Sequence, residues 1–327
     1  MKILRSLPAA LLLTLAIPTH AATYHVANTY PLGVSGGWDY LTLDASTHVL
    51  YIAQGDKIVV FDTQSGTVAG TIPGLGRTHS IILSTDGKTI YVSDSATSVV
   101  HIIDRATLQQ TGTIPVGTGP DAMLLEPVTG HLFVFNGKSK DLSIVDLTAN
   151  KVIALVPLPG KPEFPVADGA GNVYDNIEDL HQLIRIDATQ NKIAETITFA
   201  ACGSPSGQAI DRVSKRVYSV CDNANMTITE IPTLKQIGVA SIGDGPDAAV
   251  FDAKQHLIFS SNGGSGTLSI IREVKPDEYK LIQTLPTALK GRTLALNAIT
   301  GDIYIVAPDP AATGAGPKPL VLIEVSK

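Results

Sequence analysis

Asp39, His79, Asp121, Glu163, Ser206, Asp247 and Arg292 recur at regular intervals along a chain of 327 residues. Each stands twelve residues, or eleven for Glu163, before a Tyr or Phe set in an apolar run. The spacing holds while the residue types vary. Carboxylates crowded around one space raise one another's pKa or recruit a cation, and unlike charges facing one space can orient a ligand. Three chemistries fit. The first is binding of a small polar or cationic molecule, with Arg292 for a carboxylate and the acids for amines or hydroxyls. The second is a divalent cation: oxygens of Asp39, Asp121, Glu163 and Asp247 suit a hard ion such as Ca²⁺, and His79 widens the choice. The third is catalysis, with His79 or Glu163 as general base of a lactonase-like or lyase-like reaction. Further polar side chains follow the aromatics at Gln54, Asp94, Asn136, Asn176, Asp222 or Asn223, and Asn262. Asn136 and Asn262 would add amide groups to the same site. A structural role competes, because Asp after Gly-Pro, as at Asp121 and Asp247, can simply accept turn N–H groups. A purely structural ring would repeat one residue type, and this one does not.

Other chemistry-bearing residues read more plainly. Gly203-Ser-Pro-Ser-Gly207 is not the G-x-S-x-G nucleophile elbow, which also needs a strand–turn–helix setting. No Cys-x-x-Cys-His haem site or phosphate-cradling loop is present, so no cofactor is identifiable from a motif. His48, His131 and His256 precede their strand aromatics closely and read as solvated turn residues, and His101 as a packed strand residue. The segment Asp175–His181 reads as an acidic loop that could lend Glu178 or Asp179 to the ring, and Trp38 as a packing residue, with a ligand-stacking platform as the alternative. Cys202 and Cys221 are expected within disulfide reach in an oxidising compartment, with a metal-binding thiol pair as the alternative.

What must position the ring is a repeat. The strand aromatics Tyr51, Tyr91, Phe133, Tyr174, Tyr218, Phe259 and Tyr304 are separated by 40, 42, 41, 44, 41 and 45 residues. A third series marks where apolar runs end: Asp62, Asp104, Asp146, Asp187 and Glu230. Each copy reads as four short strands, with turn signals such as Thr85-Asp86-Gly87 between them. Four strands per copy of this length predict a propeller blade, so the fold expected is an all-β, seven-bladed β-propeller. The last copy stops after three strands, and Tyr24–Leu32 resembles the missing fourth. The N-terminal strand is therefore expected to close the last blade, leaving no open edge. Residues 23–327 then form a single domain, expected to be a monomer.

The repeats carry a family resemblance. Tyr91-Val-Ser-Asp94, Phe133-Val-Phe-Asn136 and Phe259-Ser-Ser-Asn262 recur with Ile103-Asp-Arg-Ala-Thr107, Thr113-Ile-Pro-Val-Gly117, Gly119-Pro-Asp121 and Gly245-Pro-Asp247. The chain resembles the YVTN-repeat, YncE-like secreted seven-bladed propellers over essentially all of residues 24–327. It departs at Tyr174-Asp-Asn-Ile177 and in the Pro/Gly/Ala insertion Ala307–Pro319. The resemblance implies a periplasmic location and this architecture, and no defined reaction. The first 22 residues read as a signal peptide, with basic Lys2 and Arg5, an apolar Leu7–Ile17 and cleavage after Ala21 or Ala22. A net charge of −6 without a basic block argues against nucleic acid as a partner. No later run is long and apolar enough for membrane insertion, and a protein partner stays open beside the small polar molecule or cation.

Overall fold

The computed structural model describes residues 23–327; the expected signal peptide lies outside the described residues. The described chain forms 28 strands in seven four-stranded sheets, each antiparallel throughout. Blade 2 is representative, with strands Thr78–Leu83, Thr89–Asp94, Val99–Asp104 and Gln110–Pro115 running outward from the central channel. Its middle strands are buried on both faces because neighbouring blades cover them, so they read as apolar runs without alternation. Outermost strands face water on one side and alternate, most cleanly in Lys192–Thr198.

Seven apolar clusters form the core, one at each junction between neighbouring blades. All seven recurring aromatics lie in them, none more than 6% exposed. The acidic series has a local purpose. Asp62, Asp104, Asp146 and Asp187 each accept a backbone N–H from two or three residues onward, which turns the chain from third strand to fourth.

Ring closure is as expected. The last sheet runs, from outside in, His25–Ser35, Pro319–Ser326, Ile303–Pro308 and Leu294–Leu296. The closing strand starts one residue later and ends three later than the sequence pattern indicates, and Tyr24 packs edge-on against Phe259 of blade 6 instead. Blade 4 is the irregular one: its inner strand is only Val166–Ala167. Pro162 and Pro165 cannot donate to a ladder, which leaves Glu163 in an irregular approach to the strand.

Candidate functional site

Each ring residue stands at or just before the start of its blade's innermost strand, and that position faces the channel mouth. Their registers are braced from neighbour to neighbour. Ser93 Oγ donates to Asp121 O at 2.6 Å, Asn176 Nδ2 to Ser206 O at 2.8 Å and Ser206 Oγ to Pro246 O at 3.0 Å. Ser261 Oγ bonds Arg292 O, and Thr293 Oγ1 donates to Asp39 O at 2.9 Å. Backbone positions of the ring are thus set by the adjacent blade as well as by their own.

All seven ring residues line one funnel of about 380 Å³. Tyr40 lies between this funnel and a second, more apolar cavity of about 390 Å³. Its ring packs on Phe164 at 5.0 Å, and together they partition the channel. The funnel therefore has a floor. Burial first, then the charges of Asp247, Asp121, Glu163 and Asp39, push the Tyr40 phenol well above its ordinary pKa.

Within the funnel the charges fall into groups. His79 Nδ1 lies 2.6 Å from Asp39 Oδ2 and 3.4 Å from Asp121 Oδ1, and Nε2 lies 2.7 Å from Ser95 Oγ. Burial works against a charge on His79, but the Asp39 hydrogen bond and the Asp121 charge outweigh it and raise its pKa. Asp39, His79 and Asp121 bring one ligand atom each within 4.8 Å of one another, the closest approach to a metal cluster among the described residues. Lys161 Nζ bridges Glu163 at 2.6 Å and Glu178 at 2.5 Å. Arg292 Nη1 donates to Asp247 Oδ2 at 2.7 Å.

Burial dominates the carboxyl groups. It pushes Glu163 well above the usual range despite Lys161, raises Asp121 despite His79, and lifts Asp247 to about 7 despite Arg292. Asp121 differs from the other two in having no lysine or arginine within ion-pair distance among the described residues. Behind Glu163, Asp175 is fully buried and neither of its carboxylate oxygens has a hydrogen-bond partner. Burial, reinforced by the Glu163 charge, pushes the Asp175 carboxyl well above its ordinary pKa.

The second polar set lies elsewhere. Asn136 and Asn262 are fully buried within their blades, bonded to Ser143 and Ser269 at 2.9 Å, and do not line the funnel. Gln54 donates to Ser35 O and Gly37 O. Asp94 accepts the N–H groups of Gly76 and Arg77, both at 2.8 Å, and bonds His101 at 2.9 Å. Of Asp222 and Asn223, Asp222 is the one at the funnel. Glu178 also reaches it, whereas Asp179 pairs with Lys140 at 2.7 Å. Trp38 packs partly into the junction of blades 7 and 1 and walls a separate cavity of about 540 Å³ with Pro308, Pro310 and Pro317.

Sequence reasoning missed Arg77, Lys161, Tyr40 and Ser95. For the first two a signal exists: Arg77 stands two residues before His79, and Lys161 two before Glu163. In extended chain, positions two apart share a face. Cys202 and Cys221 form a disulfide with Cα atoms 5.3 Å apart, which removes the thiol-pair alternative. That bond agrees with an extracellular or periplasmic setting. Among the described residues no helix is long and apolar enough to cross a membrane.

No family model matches the sequence, and no curated protein matches it. Solved structures do match in shape. A chain of the Kuenenia stuttgartiensis hydrazine synthase superposes with a TM-score of 0.72 at 16% identity, covering 82% of this chain and 92% of that one. The WD40 repeats of RRP9 give 0.77 at 11% identity, with coverages of 92% and 98%. A chain of the Mitotic Checkpoint Complex gives 0.77 at 14%, with 100% and 99%. At such identities the likeness is one of fold alone, and the fold is that of a seven-bladed β-propeller.

Proposed function

We propose that this chain is an exported propeller of the YVTN-repeat, YncE-like kind that binds a small, cation-bearing polar molecule in its acid-lined funnel. The leader-like first 22 residues, the repeat motifs and the disulfide support the exported, YncE-like part of this reading. One observation carries the binding part. Asp121, Glu163 and Asp247, from three blades, hold raised carboxyl groups around a single floored cavity, and only Asp121 lacks a resident Lys or Arg. A ligand cation beside Asp121 would relieve its burial cost, while Arg77, whose guanidinium makes no ion pair among the described residues, is available to an anionic or hydroxyl group on the same molecule.

Thermal-shift and calorimetric titrations with putrescine, glycine betaine and CaCl₂ test this. At least one probe should raise Tm, and Asp121→Asn should weaken that binding by about tenfold or more, the loss of one charge-assisted contact. A CaCl₂ response without an amine response would transfer the site to a hard cation. The reading fails if no probe raises Tm, or if the Asp121→Asn/Asp247→Asn double variant binds as well as the parent. A protein partner is the second reading. One matching propeller sits in the Mitotic Checkpoint Complex, and the outer strand Lys151–Pro157 presents Ile153 and Leu155 to solvent at 42% and 58% exposure.

A further inference from the structure

Ser95 opens the turn after the second strand of blade 2, half-exposed and in contact with His79 of the funnel lining. Its hydroxyl has one short partner, His79 Nε2 at 2.7 Å; the other contact, to Arg77 O, is 3.5 Å. The opposite nitrogen of the same imidazole meets Asp39 Oδ2 at 2.6 Å. A carboxylate on Nδ1 favours the tautomer with the proton there, which leaves the Nε2 lone pair aimed at the hydroxyl. The order hydroxyl, imidazole, carboxylate is assembled from two blades, with the imidazole side chain only 10% exposed and Ser95 partly exposed.

The surroundings fix this arrangement. Ser95 N donates to Arg77 O at 2.9 Å, and buried Asp94 accepts from Gly76, Arg77 and Ala96 N–H, which holds both sides of the turn. Those amides are committed and cannot serve an oxyanion. The Arg77 guanidinium can: it lines the funnel beside His79 and makes no hydrogen bond or ion pair among the described residues.

We propose that Ser95, His79 and Asp39 form a nucleophile, base and orienting carboxylate that hydrolyse a small ester at the funnel rim, with Arg77 receiving the oxyanion. Ser95 Oγ adds to the ester carbonyl carbon as its proton passes to His79 Nε2. Collapse of the tetrahedral adduct breaks the acyl carbon–oxygen bond, and Nε2 returns the proton to the departing alkoxide. Water then attacks the acyl-Ser95 ester while Nε2 takes its proton, and that proton goes back to Ser95 Oγ. The net change is ester plus water to acid plus alcohol.

A fluorophosphonate probe followed by intact-mass and peptide analysis should place one adduct on Ser95 of the native protein. Hydrolysis of p-nitrophenyl acetate should fall about 1000-fold or more in Ser95→Ala, His79→Gln and Asp39→Asn. In the parent it should rise with pH through one ionisation, as His79 loses its proton. Ser95→Ala deletes a single hydroxyl, and circular dichroism confirms its fold. The proposal is overturned if the folded parent is unlabelled, or if Ser95→Ala is labelled or hydrolyses at the parental rate. The amine-induced Tm shift should survive in Ser95→Ala, so loss of the esterase leaves the binding reading standing, and the reverse.

Discussion

Asp247 receives opposing instructions from its neighbours. Burial in the funnel, with Asp39 and Asp121 close by, pushes its carboxyl up; the Arg292 guanidinium at 2.7 Å pulls it down; the outcome is a pKa of about 7. An unfolded aspartate titrates near 4, so between about pH 4 and 7 the folded chain holds a proton that the unfolded chain releases. The stability contributed by this group is complete below about pH 4 and is lost as pH climbs through 7. His79, raised above its ordinary value, acts in the same direction: its contribution is full below the unfolded imidazole pKa and disappears above its own. The fall in Tm from pH 5 to 8 should therefore be shallower in Asp247→Asn, which fixes the uncharged form. Carbon-13 NMR of the Asp247 carboxyl should show a midpoint near 7. A midpoint below 5 would mean that the ion pair with Arg292 outweighs burial.

At the level of strands, the funnel depends on one close approach. Gly207 lies in the inner strand of blade 5, Pro205–Asp211, against the inner strand of blade 6, Pro246–Asp252. A Cβ there would collide with Asp247 O and lie 2.6 Å from Ala248 Cα, both backbone atoms. Gly207→Ala should cost about 1–3 kcal/mol, the range for overpacking, and displace Asp247. Urea titration reads the first effect and the Asp247 carboxyl midpoint the second. The disulfide secures the same region, linking the approach to that inner strand with the end of the second strand of blade 5 across 19 residues. Cys202→Ser/Cys221→Ser should lose about 3 kcal/mol by the loop-closure argument. An unchanged urea midpoint would show that the blade's own pairing already confines the loop.

Over the whole molecule, stability rests on closure. The terminal strand pairs from His25 with Ser326 to Ser35 with Pro319, and Glu324 accepts from Asn28 at 2.7 Å and Tyr30 at 2.8 Å. Removing residues 23–35 would leave Pro319–Ser326 as an open edge beside apolar Leu322 and Ile323. The truncated protein should melt at least 10 °C lower and aggregate, and a peptide of residues 23–35 added back should reverse both; an unaltered melt would show that closure does not limit stability. Much of this plan is legible in the linear chain. Turn signals and apolar runs define each strand, the recurring aromatic counts seven blades, and a strand's register decides which residue stands at its channel end; hence all seven ring residues line the funnel. Those features are local, set by backbone sterics and burial periodicity within one blade. What the sequence could not supply is who meets whom across blades. Asp39 and Ser95 reach the two nitrogens of His79 from 40 and 16 residues away, Tyr40 meets Phe164 across the channel, and Asn136 and Asn262 turn into their own blades. Such pairings depend on the angle between sheets and on rotamers chosen by neighbours, and they exist only once the ring has closed.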